Sequence, residues 1–262
     1  MFKQFKNKTV IITGGAGGLG VALIEQLLVS GANVAALDLH VDNLEAGEKL
    51  LPIAVDLTDR KQLQHAVEQV VSRFGGIDIL YNNAGITHMS RFENTSVEVC
   101  DSIMAVNFTA SVDITRLCLP YLKEAQGQIV AISSVAGFAP LFGRSVYSAS
   151  KHAMEGFFRS LASEVKSEGI SVLIVCPSFV KSRPELIAQV NNGISSPGAM
   201  KKSTNGEQIL PHIAAEKILW ATVYRKPVLY LGKVSKVAHW LQKLVPEFYL
   251  KLMVNNAKKE FV

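Results

Sequence analysis

The sequence predicts an α/β fold: one domain over residues 1–262, built as a doubly wound parallel sheet of about seven strands with helices on both faces. Three observations carry this. Short β-branched apolar runs alternate with longer helical stretches along the chain. A glycine-rich turn, Thr13-Gly14-Gly15-Ala16-Gly17-Gly18-Leu19-Gly20, joins the first apolar run to the first helical stretch. The 262 residues are 48% hydrophobic, enough for a sizeable core, and no internal repeat or interdomain linker interrupts them.

Taken in order, residues 8–13 form a β-branched run that ends in glycine and reads as a buried strand. Residues 20–30 read as a helix, with Ala22, Leu23, Leu27 and Leu28 apolar and Gly31 as the stop. Further strands are expected at 33–37, 53–55, 79–81, 129–132, 172–175 and 228–231. Long helices are expected at 110–123 and 145–167. The second shows Ala149, Ala153, Phe157, Leu161 and Val165 at helical spacing.

Strand, glycine turn and helix in succession point backbone N–H groups at a helix N-terminus, where a pyrophosphate is stabilised. The glycines allow tight turning and close backbone approach. Their spacing, Gly-x-x-x-Gly-x-Gly, differs from the common Gly-x-Gly-x-x-Gly fingerprint. The second strand runs into Asp38, placed to accept hydrogen bonds from a ribose diol and to repel a 2′-phosphate. No Arg or Lys lies within the turn or immediately after Asp38, so the reading is NAD rather than NADP. The competing reading of Asp38 is a turn or cap acid.

Tyr147 and Lys151 stand four apart on the 145–167 helix, so both can face one site. A free phenol titrates near 10, too high for acid–base work at neutral pH, and a nearby ammonium lowers that value. By itself the pair is equally a half-exposed helix face with a solvated lysine.

Together these residues resemble the short-chain dehydrogenase/reductase family, over roughly residues 5–183 and again at 227–232. Thr13-Gly14-x-x-x-Gly18-x-Gly20 is similar to its cofactor turn, with Leu19 inside it. Asp56-Leu57 is similar to its adenine-contacting pair, and Asn83-Ala84-Gly85 to its fourth-strand motif. Asn107, Ser134, Tyr147 and Lys151 match its catalytic tetrad in order and approximate spacing. The resemblance implies a Rossmann-type domain and an oxidoreductase acting on CH–OH groups, with a hydride moving between a carbinol carbon and the nicotinamide. It implies Tyr147 as acid–base, Ser134 on the substrate oxygen, Lys151 on the nicotinamide ribose and Asn107 holding a relay water. It also implies cofactor contacts at Pro177, Val180 and Ser182, and a homodimer or homotetramer formed through the 110–123 and 145–167 helices.

The chain departs from the family after the sixth strand, where Ser178 replaces the usual glycine and Ser182 stands for the usual threonine. Ser134 has a neighbour of the same type, Ser133, which can face the other way. Asn107 has a purely structural reading, the satisfaction of backbone groups at a helix interruption. His88 and His152 read as surface histidines, His88 with an alternative place at the substrate entrance.

Cys100, Cys118 and Cys176 fit no metal or disulfide spacing and read as reduced, small buried hydrophobes in a cytoplasmic protein. No secretory signal and no apolar run of ~18 residues is present. The net charge of +5 comes without a nucleic-acid motif.

Phe138, Ala139, Pro140, Leu141 and Phe142, with Ile86, Met89 and Phe92, either line an apolar pocket or pack as core and subunit contacts. The first alternative suits a steroid-, retinoid- or lipid-like alcohol or carbonyl compound. Residues 184–210 are expected to form the substrate loop: a short helix at 185–190, then a mobile lid over 191–206. The extension 233–262 carries an apolar and lysine-rich stretch over 234–254 that Pro246 breaks in two. It is expected either to pack on the core, a lid or a second subunit, or to lie on a membrane. The rival to an enzyme is a non-catalytic NAD-binding regulator or scaffold that keeps the fold.

Overall fold

The computed structural model of the protein describes residues 2–181 and 208–257. All seven expected strands are present: β1 Thr9–Thr13, β2 Asn33–Asp38, β3 Leu50–Ala54, β4 Ile79–Asn82, β5 Gln128–Ile132, β6 Ser171–Pro177 and β7 Val228–Leu231. They form one parallel sheet in the order β3-β2-β1-β4-β5-β6-β7. The chain order reverses between β1 and β4, and in open α/β sheets ligands bind beyond the carboxyl ends of the strands at such a switch. Thr13, Asn82, Ile132 and Pro177 therefore end at the same edge.

Third-strand residues start earlier than the sequence suggested, at Leu50, and the strand includes Pro52 opposite Ala36. Proline is excluded from a central strand but tolerated at an edge, where its missing N–H faces outward. β3 is that edge.

Helices α1 Gly18–Val29, α2 Arg60–Phe74, α3 Val97–Met104, α4 Ala110–Glu124, α5 Ser145–Glu164 and α6 Pro211–Val223 flank the sheet, and α7 Lys233–Leu244 and α8 Pro246–Ala257 follow β7. Side chains alternate between the two faces of the strands. Ile11 joins Leu63, Leu122 and Phe158 on the face covered by α2, α4 and α5. Val10 and Ile12 join Leu23, Leu27 and Ile218 on the face covered by α1 and α6. Each such fully buried side chain contributes about 1.5–3 kcal/mol relative to exposure.

Two helix limits differ from expectation. α1 begins at Gly18, two residues before the expected start, because Gly17 already has extended cap geometry. α5 ends at Glu164 rather than 167. A 3₁₀ turn, Lys166–Glu168, follows it and closes on Gly169 at φ 78°, a left-handed position that glycine adopts freely. α6 belongs to no expected element. Its Ala214, Ala215, Ile218 and Leu219 are fully buried. The expected lid at 191–206 and its preceding helix at 185–190 lie outside the described residues.

Candidate active site

The glycine turn is held from three sides. The Gly14 N–H donates to the Leu37 carbonyl at 2.8 Å. The Asn83 amide donates to the carbonyls of Thr13 and Gly14 at 2.9 and 3.0 Å, and the Thr13 hydroxyl accepts the N–H groups of Asn83 and Ala84, each at 3.0 Å. Gly14 stands at φ 65°, and a Cβ there would lie 2.8 Å from the Ala84 Cα. Gly20 is packed against the carbonyls of Gly14 and Gly15, so a side chain there has no room. This leaves a bare backbone cradle at the start of α1, with Gly18, Leu19 and Gly20 as its first helical turn.

Asp38 ends β2 beside this cradle. One carboxylate oxygen accepts the Ala16 N–H at 2.9 Å and the other its neighbour Leu39 N–H at 2.8 Å. Burial raises its pKa from the ordinary value, opposed by these backbone N–H groups. Asp38 thus fastens the turn. Asp56, past β3, is exposed, and its carboxylate accepts both the N–H and the hydroxyl of Thr58 at 2.9 and 2.7 Å. Leu57 beside it packs on the core.

At the next strand ends the structure brings Asn107, Ser134, Tyr147 and Lys151 together. Ser133 and Ser134 follow β5 and face opposite ways. Ser134 lies beside the Tyr147 phenol and works against the rise of its pKa, whereas the Ser133 hydroxyl donates to the Glu155 carboxylate at 3.0 Å. Lys151 is 3% exposed, and its ammonium donates to the Ile132 carbonyl at 2.9 Å. Burial lowers its pKa to about 8. Tyr147 keeps part of its surface open, but its hydroxyl lies deep enough that burial pushes the phenol above its ordinary value.

Lys151 is expected to lower the Tyr147 pKa, and the charge that acts on the phenol in this structure comes from a second cation. The Lys151 ammonium is 6.0 Å from the Tyr147 ring centre, yet the groups that oppose the rise are Ser134, by hydrogen bonding, and Arg144, by its charge. Arg144 was missed from the sequence. It sits three residues before Tyr147 at the N-cap of α5, with its guanidinium 6.0 Å from the ring centre and a hydrogen bond to the Thr87 hydroxyl at 2.9 Å. The signal available was its spacing to Tyr147.

Asn107 lies in a π-helical turn, Ala105–Thr109, between α3 and α4. Such bulges interrupt regular helices and re-aim side chains. Its Oδ1 accepts the Ile86 N–H at 2.8 Å, and its Nδ2 donates to the Ile86 carbonyl at 3.0 Å and the Ser150 hydroxyl at 2.9 Å. The structural alternative for this residue is therefore real. Its oxygen also faces Lys151 across Gly85: a Cβ on Gly85 would stand 3.3 Å from Asn107 Oδ1 and 3.4 Å from Lys151 Nζ.

A polar ladder on α5 was not foreseen. Tyr147, Lys151, Glu155 and Arg159 recur every four residues on α5, along one face. The buried Glu155 accepts from Ser133, from the Cys176 thiol at 3.3 Å and from Arg159 at 2.8 Å. Cys176 is thus more than a small hydrophobe, and burial beside this carboxylate pushes its thiol up.

Several expected pocket residues lie elsewhere. Ala139 is fully buried, and Phe138 and Leu141 pack with Ala238, Leu241 and Tyr249 of α7 and α8. Phe138 also meets Tyr230 and His239 edge-on at 5.5 Å. The cleft open to Tyr147 is lined by Phe92, one of the expected pocket residues, together with His88, Ser90, Ile103 and Arg144. His88 is partly buried there, 3.1 Å from the Ser90 hydroxyl, and burial lowers its pKa. It is a cleft residue and not a surface histidine. His152 faces solvent.

Pro177 ends β6 and is buried. The Ser178 side chain lies over Gly232, where a Cβ would stand 3.5 Å from that of Ser178. The glycine at 232, at φ 96°, makes room for the serine at 178. Val180 pairs with Ile209 in a parallel bridge. Ser182 lies outside the described residues.

A family model for short chain dehydrogenases matches residues 8–191. The chain is a short-chain dehydrogenase/reductase. A "Dehydrogenase/reductase SDR family protein 7-like" of Anopheles gambiae is 34% identical over 98% of this chain and 85% of its own length. The 15-hydroxyprostaglandin dehydrogenase [NAD(+)] of Rattus norvegicus is 36% identical over 67% of this chain and 69% of its own. The structure of a short chain dehydrogenase from Burkholderia cenocepacia in complex with NADP has the same fold, with a TM-score of 0.79 at 22% identity over 95% of this chain and 98% of that one. This short-chain dehydrogenase/reductase is accordingly an oxidoreductase of a family that uses a nicotinamide dinucleotide.

Proposed function

We propose that the chain is an NAD(H)-dependent oxidoreductase that interconverts a hydrophobic secondary alcohol and its carbonyl compound, of steroid, retinoid or lipid type. The observation that carries the reading is the convergence of Ser134, Tyr147 and Lys151 at the strand ends, beside a glycine cradle that no side chain fills.

The residues present fit the cofactor. The bare backbone at Gly14, Gly18 and Gly20 suits a pyrophosphate, and Asp38 suits an unphosphorylated ribose. Asp56 and Leu57 flank the adenine side, and Asn83, Ala84, Gly85, Pro177 and Val180 the nicotinamide side, with Ser182 the further contact that the family resemblance implies. A bound nicotinamide dinucleotide supplies the two-electron acceptor or donor. Asp38 supports NAD, as does the printed cofactor of the rat relative, whereas the Burkholderia structure holds NADP.

Within the site, the Tyr147 oxygen takes the proton of a substrate hydroxyl during oxidation and returns it during reduction. Ser134 hydrogen-bonds the same substrate oxygen and fixes its position. Lys151 and Asn107, on either side of the gap left by Gly85, carry the proton outward. The hydroxylated lipid named for the rat relative supports the substrate class. A homodimer or homotetramer formed through α4 and α5 belongs to the same reading, and sedimentation velocity checks it.

The test is titration of the purified protein with NADH and NADPH, followed by turnover of hydrophobic secondary alcohols and ketones. NADH binding with turnover supports the reading. NADPH preference overturns the cofactor assignment. NADH binding without turnover across a broad panel favours the non-catalytic alternative.

A further inference from the structure

The outer face of the two C-terminal helices has no role in the site described above. Their inner face does: Ala238, Leu241, Tyr249 and Met253 pack on Val135 and Ala139, in the loop that follows Ser134. With that side anchored, the opposite side faces solvent. Half of the exposed large apolar side chains among the described residues lie between 234 and 252.

Their spacing makes a stripe. Val237, Trp240 and Leu244 recur at i, i+3 and i+7 on α7, with exposures of 57%, 57% and 68%. Phe248 and Leu252, one turn apart on α8, continue the apolar surface. Lys236 and Lys243, also seven apart, run along one flank of the α7 stripe, and Lys251 is exposed on α8. The Lys243 ammonium lies 5.7 Å from the Trp240 ring centre. Lys233, Lys236, Lys243 and Lys251 against Glu247 alone give the pair four positive charges to one negative, a net +3.

We propose that this face docks on an anionic lipid surface, with α7 and α8 lying in the interface. The apolar stripe, an exposed Trp and flanking lysines with long alkyl stems are the chemistry of that interface: rings and stems enter the acyl boundary, and ammonium groups stay at the phosphates. Each lysine near an anionic surface contributes about 1 kcal/mol. A second copy of the chain fits the face poorly, since an isologous contact sets the +3 surface against itself. No described helix is long and apolar enough to cross a membrane. The proposal does not depend on the oxidoreductase reading, because lipid binding needs no turnover.

The experiment is co-sedimentation of the full chain with vesicles of phosphatidylcholine alone and of phosphatidylcholine with phosphatidylserine, at low and high salt. We expect at least tenfold more binding to the anionic vesicles, reduced by salt. We expect its loss in Trp240→Ala/Phe248→Ala and in Lys236→Glu/Lys243→Glu, with the melting temperature of each variant measured alongside. Should a variant fold poorly, brominated lipids in a Trp220→Phe background report the depth of Trp240 directly, and its quenching is expected. Equal binding to both vesicle types overturns the proposal, as does unquenched Trp240. Self-association at this face, abolished by the same substitutions with no vesicle binding, overturns it in favour of a second copy.

Discussion

The Ser133 hydroxyl donates to the Glu155 carboxylate at 3.0 Å, and this bond fixes which of two adjacent serines faces Tyr147. Glu155 lies one turn beyond Lys151, so a single helix carries Tyr147, Lys151 and the group that orients the serine loop. Glu155→Ala leaves the Ser133 hydroxyl and the Cys176 thiol without their acceptor, a cost of about 1–3 kcal/mol. Thermal unfolding should show that loss. Glu155→Gln keeps an acceptor oxygen, so it should fall less in stability and retain more turnover.

Tyr147→Phe removes the hydroxyl proposed to exchange the proton and keeps the ring. Turnover should fall by about 10²–10⁴-fold, the usual contribution of a positioned acid or base. NADH affinity, read by fluorescence titration, should stay within a few-fold. Unchanged function in this variant would instead favour the binding-only alternative.

Arg144 is the charge that opposes the raised pKa of Tyr147. A positive charge favours the phenolate, so Arg144→Gln should raise that pKa further. The rise of dehydrogenation rate with pH should then move to higher pH. Arg144→Lys keeps the charge and should move less. An unshifted pH–rate profile in Arg144→Gln would remove Arg144 from the mechanism.

Lys151 gives a pH dependence of stability with a definite sign. Its folded pKa is lowered by burial from 10.5 to about 8. Between those values the unfolded chain binds more protons than the folded one, so this residue's contribution to stability rises with pH. The full rise is on the order of 3 kcal/mol. Above 10 the raised pKa of Tyr147 acts the other way, since the unfolded phenol ionises first. Denaturant unfolding from pH 7 to 10 should show a rise in the native chain that is absent in Lys151→Met.

Asp38→Ala removes the carboxylate that repels a 2′-phosphate. The ratio of NADPH to NADH affinity should increase at least tenfold, about 1.4 kcal/mol. Because the same carboxylate accepts the Ala16 N–H, some loss of affinity for both cofactors should accompany it.

By itself the sequence determined the sheet and the residues of the proposed site. The seven strand runs, the glycine turn and the four-residue spacing of Tyr147 and Lys151 are local patterns, and local patterns are written in periodicity and backbone permissiveness. The family assignment followed from their order. Only the tertiary structure decided what depends on neighbours distant in sequence. The acceptors of Ser133 and Lys151 lie 22 and 19 residues away. Burial, which no spacing encodes, set the direction of both site pKa shifts. Phe138 and Leu141 are apolar in either reading, and the packing of helices α7 and α8 placed them against those helices, away from the cleft. Ser178 is accommodated because the chain returns at β7 to place Gly232 beneath it, a fit fixed by two segments more than fifty residues apart.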